Sequence, residues 1–281
     1  MKTPVAGRIR TVLARLMMYL VLVAGLCIVV IPFYWMIISS LKPEGAIFQY
    51  PPAALPRQIY LGHYQRLLQS AVFGRVFFNS LLVASCYTLC SAFFCSLAGF
   101  AFAKYQFRGR NVLFLVVLGS MMIPIHVNLI PLFLVMSKIG WTNTYQALIV
   151  PFAASAVGIF MMRQVIVSVP DELIDATRID GCGEFRIYYK IILPMIMPGL
   201  VTYIVMAFLY SWNDFLWPLI VVQRTNMLTL PLFINNTRGQ LRIDYGLMLA
   251  SSTLATLPVI LLFLIMAKSI ISGALAGALK G

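Results

Sequence analysis

Six stretches of this chain are long and apolar enough to cross a bilayer as helices: 17–41, 76–103, 111–136, 145–162, 198–222 and 246–272. A helical crossing needs about 20 mainly apolar residues, because hydrocarbon offers no partner for an unpaired backbone N–H or C=O. Composition supports lipid as the solvent for much of the chain. Of its 281 residues 61% are apolar and 10% charged, against roughly 45–50% and ~25% in a soluble domain. The fold class read from this pattern is all-α integral membrane, with six transmembrane helices. The first stretch exceeds the apolar core of a signal peptide and lacks a convincing small-residue cleavage site, so it reads as a retained span.

Charge orients the spans. The formal charge is +13, but the basic residues stand singly or in small groups between apolar runs. An aromatic-interleaved basic patch, the footprint of a nucleic-acid surface, is lacking. With the N-terminus inside, 13 of the 21 Lys and Arg fall on the cytoplasmic side and 8 outside, the sense of the positive-inside rule. Lys104, Arg108 and Arg110 in one tight loop are the clearest local signal. Both termini are therefore expected in the cytoplasm. The five cysteines include no CxxC and no Cys/His cluster, so they read as packing residues rather than metal ligands or a disulfide framework. No Gly-x-x-x-x-Gly-Lys-Ser/Thr occurs to cradle nucleotide phosphates. The two histidines, His63 and His126, form no catalytic constellation.

Two loops exceed mere connectors. The outer segment 42–75 carries Pro43, Pro51, Pro52 and Pro56, then an amphipathic stretch at 63–68; docking surface and spacer both fit it. The inner segment 163–194 holds five of the eight acidic residues: Asp171, Glu172, Asp175, Asp180 and Glu184. Pro170 suits the start of a helix reaching Ile179, and Asp180-Gly181 is a turn signal. A second helix over 183–192 places Phe185, Tyr188, Tyr189 and Ile192 at three- and four-residue spacing, and Pro194 is expected to stop it. Such a hairpin, with small Ala176 and Thr177, suits a partner's cleft; it also suits a plain link between spans.

The run Asp175-Ala176-Thr177-x-x-x-Gly181, nine residues, Ile191-x-Leu193-Pro194 resembles the EAA loop of binding-protein-dependent ABC importer permeases. That family's pattern is Glu-Ala-Ala-x-x-x-Gly, nine residues, Ile-x-Leu-Pro. Asp175 and Thr177 depart from it while keeping charge and small size. Further similarity to the carbohydrate-uptake branch lies in Phe78-Asn79-Ser80-Leu81, Pro170-Asp171-Glu172-Leu173, Arg178-Ile179-Asp180-Gly181, the run from Trp212 to Leu219, and the tail Gly273 to Gly281. The resemblance implies an inner-segment helix seated in a groove of an ATPase subunit, with Glu172, Asp175, Ala176, Thr177, Asp180, Gly181, Ile191, Leu193 and Pro194 as coupling residues. It implies a tail whose Lys280 and Gly281 reach the ATPase dimer. The domains are then a cytoplasmic segment 1–16, a six-span permease domain 17–272, and a cytoplasmic tail 273–281. The implied partners are a second homologous permease in a heterodimer, two copies of an ABC ATPase that bind ATP and Mg²⁺, and an extracytoplasmic solute-binding protein. No cofactor is expected in this chain. The location implied is a bacterial or archaeal cell membrane.

Polar or helix-breaking residues inside apolar runs are the candidates for the translocation path: Asn79, Pro124, Asn128, Asn213 and Asp214. Burying Asn79 or Asp214 unpaired is costly. Asn213 and Asp214 fit either the path or interhelical bracing. Pro124 and Pro131 should kink the third span, and Tyr210, Trp212 and Trp217 suit either sugar stacking or interfacial anchoring. Family analogy favours a sugar as solute, with a polyol phosphate as alternative. An ion-coupled secondary transporter is the rival from another class; it wants several intramembrane acids and inverted repeats, whereas Asp214 stands alone.

Overall fold

The computed structural model describes residues 4–237 and 243–278, with side chains over 11–237 and 243–268. The α-helices among them are, in order, α1 Pro4–Ser40, α2 Gly62–Gln69, α3 Ala71–Lys104, α4 Arg110–Ser120, α5 Ile125–Lys138, α6 Tyr145–Ile149, α7 Ala156–Val167, α8 Asp171–Ile179, α9 Glu184–Ile187, α10 Leu193–Met195, α11 Met197–Trp212, α12 Leu216–Val221, α13 Leu230–Asn236 and α14 Tyr245–Ala278. Three passages are single helices of bilayer length and apolarity: Thr11–Ser40, Ala71–Lys104 and Tyr245–Lys268. Three more qualify as bent pairs: Arg110–Ser120 with Ile125–Lys138 at 100°, Tyr145–Phe152 with Ala156–Val167 at 46°, and Glu184–Met195 with Met197–Trp212 at 84°. Length and composition thus allow three to six crossings. The chain divides into two compact units, Met1–Gln69 with Asn236–Ala255, and Ser70–Asn235 with Thr256–Gly281.

In the first unit side chains fix the proline-rich segment after α1. Lys42 Nζ donates to Ala53 O at 2.7 Å and lies 4.6 Å from the Trp35 ring centroid. Tyr34 donates to Ala54 O at 2.6 Å. The short amphipathic α2 buries His63 and Leu67. His63 sits between the Lys42 carbonyl, 2.9 Å from Nε2, and the Arg66 guanidinium, 2.9 Å from Nδ1. Glu44 accepts the Tyr245 and Gly246 N–H groups at 2.9 Å each. Two orphan donors at the start of α14 are thereby satisfied. Arg66 pairs with Asp244 at 2.9 Å, and Asp244 accepts Leu247 N–H at 2.8 Å. Burial pushes the Asp244 carboxyl up, but the Leu247 N–H and the Arg66 guanidinium outweigh it and hold the group below the usual carboxylate range.

In the second unit α3 is the central element and packs against α7 and α11. Between the buried Tyr87 and Phe100 its packed face carries small residues, among them Ser91, Ala92, Cys95, Ser96 and Gly99, all buried. Small residues let helix backbones approach closely, which matters most where lipid removes the hydrophobic drive for helices to associate. At Gly99 a Cβ would stand 2.8 Å from both the Arg163 backbone nitrogen and Met162 Cβ. Ser91 shares a hydrogen bond with Tyr203 at 2.6 Å, and Ser96 one with Tyr188 at 2.7 Å.

The expected interruption of the third span occurs where the prolines stand. α4 ends at Ser120, Pro124 is the N-cap of α5, and Pro131 lies within α5. The fifth span departs from expectation. Instead of one helix over 198–222, α11 stops at Trp212 and α12 starts at Leu216. Asp214 Oδ1 accepts the Trp217 N–H at 3.4 Å, so a local side-chain cap competes with helix continuation. The final helix runs on through Ala278; Ala274, Leu275, Ala276 and Ala278 are strong helix formers.

Gly99→Val should overpack the α3–α7 crossing by about 1–3 kcal/mol, read as reduced membrane abundance and a lower melting temperature in nanodiscs. The Asp244 contribution is complete above the unfolded carboxylate value, near 4, and is lost as pH falls through the lower folded value. The melting-temperature gap between wild type and Asp244→Asn should therefore narrow between pH 5 and pH 3.

Candidate functional site

The segment between α7 and α11 folds as a helical hairpin. Pro170 stands at the N-cap position of α8, Asp171 and Glu172 occupy its positively polarised first turn, and Arg178 its last. The turn follows from Gly181, whose φ of +76° lies in the left-handed region. The Gly181 N–H reaches Arg178 O at 2.9 Å and the Cys182 N–H reaches Thr177 O at 3.2 Å. This is a Schellman closure, which satisfies two orphan carbonyls and favours glycine. Arg178 spans the turn, donating to Glu184 at 2.9 Å and to Asp175 at 3.1 Å. The Arg178 guanidinium, then the Tyr105 hydroxyl, hold the Glu184 carboxyl below its ordinary value.

The second arm is only partly α-helical. After α9 the backbone widens into a π-helix over Tyr188–Ile192, closed by the Leu193 N–H on Tyr188 O. Pro194 was expected to stop this arm, yet the helix passes through it to Met195 and breaks at Ile196. A proline ring clashes with the carbonyl four residues back and supplies no N–H; the wider preceding turn accommodates both.

The hairpin has two faces. Ile174, Ile187, Tyr188 and Ile192 are buried in a core that also holds Phe100, Met162 and Ile166. Burial of each such isoleucine from water is worth about 1.5–3 kcal/mol. The opposite face exposes Ile179 at 87%, Phe185 at 70% and Tyr189 at 68%, rimmed by exposed Glu172, Asp175, Asp180 and Gly181. Ala176 is exposed, and Thr177 is half-buried with its hydroxyl donating to Leu173 O at 2.6 Å. Ile191 and Leu193 are half-buried and Pro194 exposed. Lys280 and Gly281 lie outside the described residues.

A cavity of about 420 Å³ opens among Tyr87, Phe152, Ser155, Tyr203, Met206 and Tyr210. None of the five path candidates lines it among the described residues. Asn79 is completely buried: its amide nitrogen donates to Asn226 O and Leu228 O at 3.0 Å each, and its oxygen accepts the Tyr145 hydroxyl at 2.7 Å. Pro124 and Asn128 are exposed. Asn213 donates to Leu209 O at 2.9 Å, and Asp214 caps α12. Trp217 is buried and donates to Ala147 O at 2.8 Å; Trp212 is buried and stacked on Phe208. Of the three aromatics suited to sugar stacking, Tyr210 alone faces the cavity. The lining tyrosines Tyr87 and Tyr203 carry no sequence signal that separates them from packing residues.

Glu44, His63 and Asp244 place ligand-type atoms within 4.8 Å of one another. Their donor atoms are already committed to Tyr245, Gly246, Lys42, Leu247 and Arg66, and the guanidinium supplies the positive charge.

Residues 95–275 match a family described as binding-protein-dependent transport system inner membrane component. The chain belongs to that family. It is 35% identical over 256 residues to the arabinooligosaccharides transport system permease protein AraQ of Bacillus subtilis (strain 168), across 89% of this chain and 90% of that protein. It is 31% identical over 272 residues to the lactose transport system permease protein LacG of Rhizobium radiobacter, across 97% and 98%. Its fold resembles a chain from the crystal structure of a bacterial ABC transporter involved in the import of the acidic polysaccharide alginate, with a TM-score of 0.83 at 21% identity over 94% of this chain and 98% of that one.

Asn79→Ala would leave the buried Leu228 carbonyl unpaired, at about 1–3 kcal/mol, and would remove the partner of the part-buried Asn226 carbonyl and Tyr145 hydroxyl. The expected result is lower abundance and melting temperature, with an unchanged solute KM in the protein that remains.

Proposed function

We propose that this chain forms half of the translocation pathway of an ATP-driven sugar importer, and that its 163–194 segment couples the pathway to ATP hydrolysis by a separate subunit. In this reading the three single helices, the bent pairs Arg110–Ser120 with Ile125–Lys138 and Tyr145–Phe152 with Ala156–Val167, and α11 with α12 supply the six spans; both termini are cytoplasmic, and the hairpin, α9 and α10 included, faces the ATPase. A second, homologous permease completes a heterodimer; two ATPase copies bind ATP and Mg²⁺, and a solute-binding protein delivers the solute. The motive for two permeases is the single coupling loop per chain.

The observation that carries the coupling assignment is the two-faced hairpin. Its inner face is buried in the same core as the spans, while Ile179, Phe185 and Tyr189 stand out beside an acidic rim. A device that passes force between subunits needs both a rigid seat and a surface left free for docking. Asp175, Ala176, Thr177 and Gly181 lie at that surface. Sugar as the solute class rests on relatives whose names specify arabinooligosaccharides and lactose. A polyol phosphate is the second reading, since the chain is also 28% identical over 260 residues to an sn-glycerol-3-phosphate transport system permease protein, UgpE, of Salmonella typhi.

The test is capture of the tagged chain from its own gently solubilised membranes, comparing wild type with Gly181→Asp at equal abundance. A side chain at φ +76° costs about 1–2 kcal/mol in the turn but meets nothing within 4 Å, so the variant should persist in the membrane. Wild type should bring down an ATPase, a second permease and a solute-binding protein; the variant should lose most of the ATPase. Capture of wild type without any ATPase after mild crosslinking would reinstate the secondary-transporter reading, and an active homodimer would refute the heterodimer.

A further inference from the structure

Two consecutive residues at the end of α3 hold the two arms of the hairpin. Lys104 has a side chain only 5% exposed, and its ammonium donates to Val169 O at 2.5 Å and to Asp171 Oδ1 at 2.6 Å, at the start of the first arm. The Tyr105 hydroxyl donates to Glu184, at the start of the second arm. Glu184 also receives Arg178, whose guanidinium stands 5.7 Å from the Tyr105 ring centroid. The tyrosine is itself fixed: its ring meets Phe100 edge-on at 5.2 Å, and its carbonyl accepts Arg110 at 3.2 Å. Burial, then the neighbouring Glu184 carboxylate, push the Tyr105 hydroxyl up to about 12, so it remains a donor throughout the physiological range.

A hairpin attached only through its chain ends would have two places to pivot. The first is the extended backbone at Pro170 before α8, and the second is the helix break at Ile196. Contacts at both arm starts oppose that pivoting, and both originate in neighbouring residues of α3. Neither Lys104 nor Tyr105 belongs to the loop pattern that marks the hairpin in the sequence. We infer that Lys104 and Tyr105 form a two-point clamp that makes the hairpin and the end of α3 move as one body, and that they are positioning residues for coupling. This rests on the reading of the hairpin as the ATPase-docking element.

The test uses the complete importer purified in nanodiscs, nucleotide-free and trapped with ATP and vanadate, followed by hydrogen exchange. In wild type, protection should change together in 171–187 and in 96–106. In Lys104→Met with Tyr105→Phe, segment 171–187 should still respond. The response of 96–106 should fall by about fivefold or more, the low end of a coupling between sites. Lys104→Arg alone should retain it. Tyr105→Phe alone removes one hydroxyl from a ring that stays packed, and should show the same separation in weaker form if the double variant is poorly folded. Wild-type responses of both segments in the variants would overturn the clamp, as would a silent 96–106 in wild type. A silent 171–187 in wild type would instead overturn the hairpin reading, and the clamp with it.

Discussion

The close crossing of α3 with α7 is the contact on which the rest of the second unit depends. Lipid tails are as apolar as leucine, so helices in a bilayer gain little by hiding apolar surface from one another. What remains is dispersion between closely fitted atoms and hydrogen bonds between helices. Both need backbones brought near. Gly99 provides the approach at Met162 and Arg163, Gly158 provides it beneath Tyr203 and Cys95, and Ser91 and Ser96 then reach hydroxyls on Tyr203 and Tyr188. Larger side chains at these positions would separate the helices and lose both terms together.

The helix breaks are the second constraint. Each break frees backbone donors and acceptors that hydrocarbon cannot satisfy, and in this chain a side chain often takes them up. Ser155 accepts the Gly158 N–H at 3.2 Å where α7 begins. Asp214 accepts the Trp217 N–H, and Asn143, itself at φ 60°, accepts the Gln223 and Arg224 N–H groups at 2.6 and 2.8 Å. The cavity lies beside one such break, with Phe152, Ala154 and Ser155 among its lining. Irregular backbone at membrane depth is tolerable where it faces protein or a cavity, and this break does.

Much of this was legible in the sequence because it is local. Apolar run length located the helical passages, Pro124 located a bend, and Asp180-Gly181 located a turn whose φ and hydrogen bonds need glycine. The failures are instructive for the same reason. Pro194 reads as a stop by local rules, and only a π-turn, a choice of backbone pitch invisible in composition, lets the helix continue. Asp214 read as an acid inside a span because run length cannot register a side chain that accepts the Trp217 N–H where α12 begins. The partners of Asn79 were not legible either: its amide is committed to Asn226, Leu228 and Tyr145, the first two nearly 150 positions away. The contacts of Glu44 and Arg66 with 244–246, and of Lys104 with Asp171, are likewise long-range, and pairing between distant polar residues leaves no periodic trace.

Helix α3 gives these separate features one mechanical context. It lines the cavity at Tyr87 and holds the hairpin at Lys104, 17 residues later, which at 1.5 Å per residue is about 25 Å along the axis. Of the three long helices, α1 and α14 contain internal prolines, Pro32 and Pro258, and α3 contains none. Sharp kinks arise at prolines, at Gly/Ser pairs, at π-bulges or at inserted groups. Within α3 the glycine nearest the hairpin, Gly99, is pressed against α7 and has no room to open. Between Tyr87 and Lys104, α3 thus contains no proline, and its one glycine, Gly99, is packed against Met162 and Arg163.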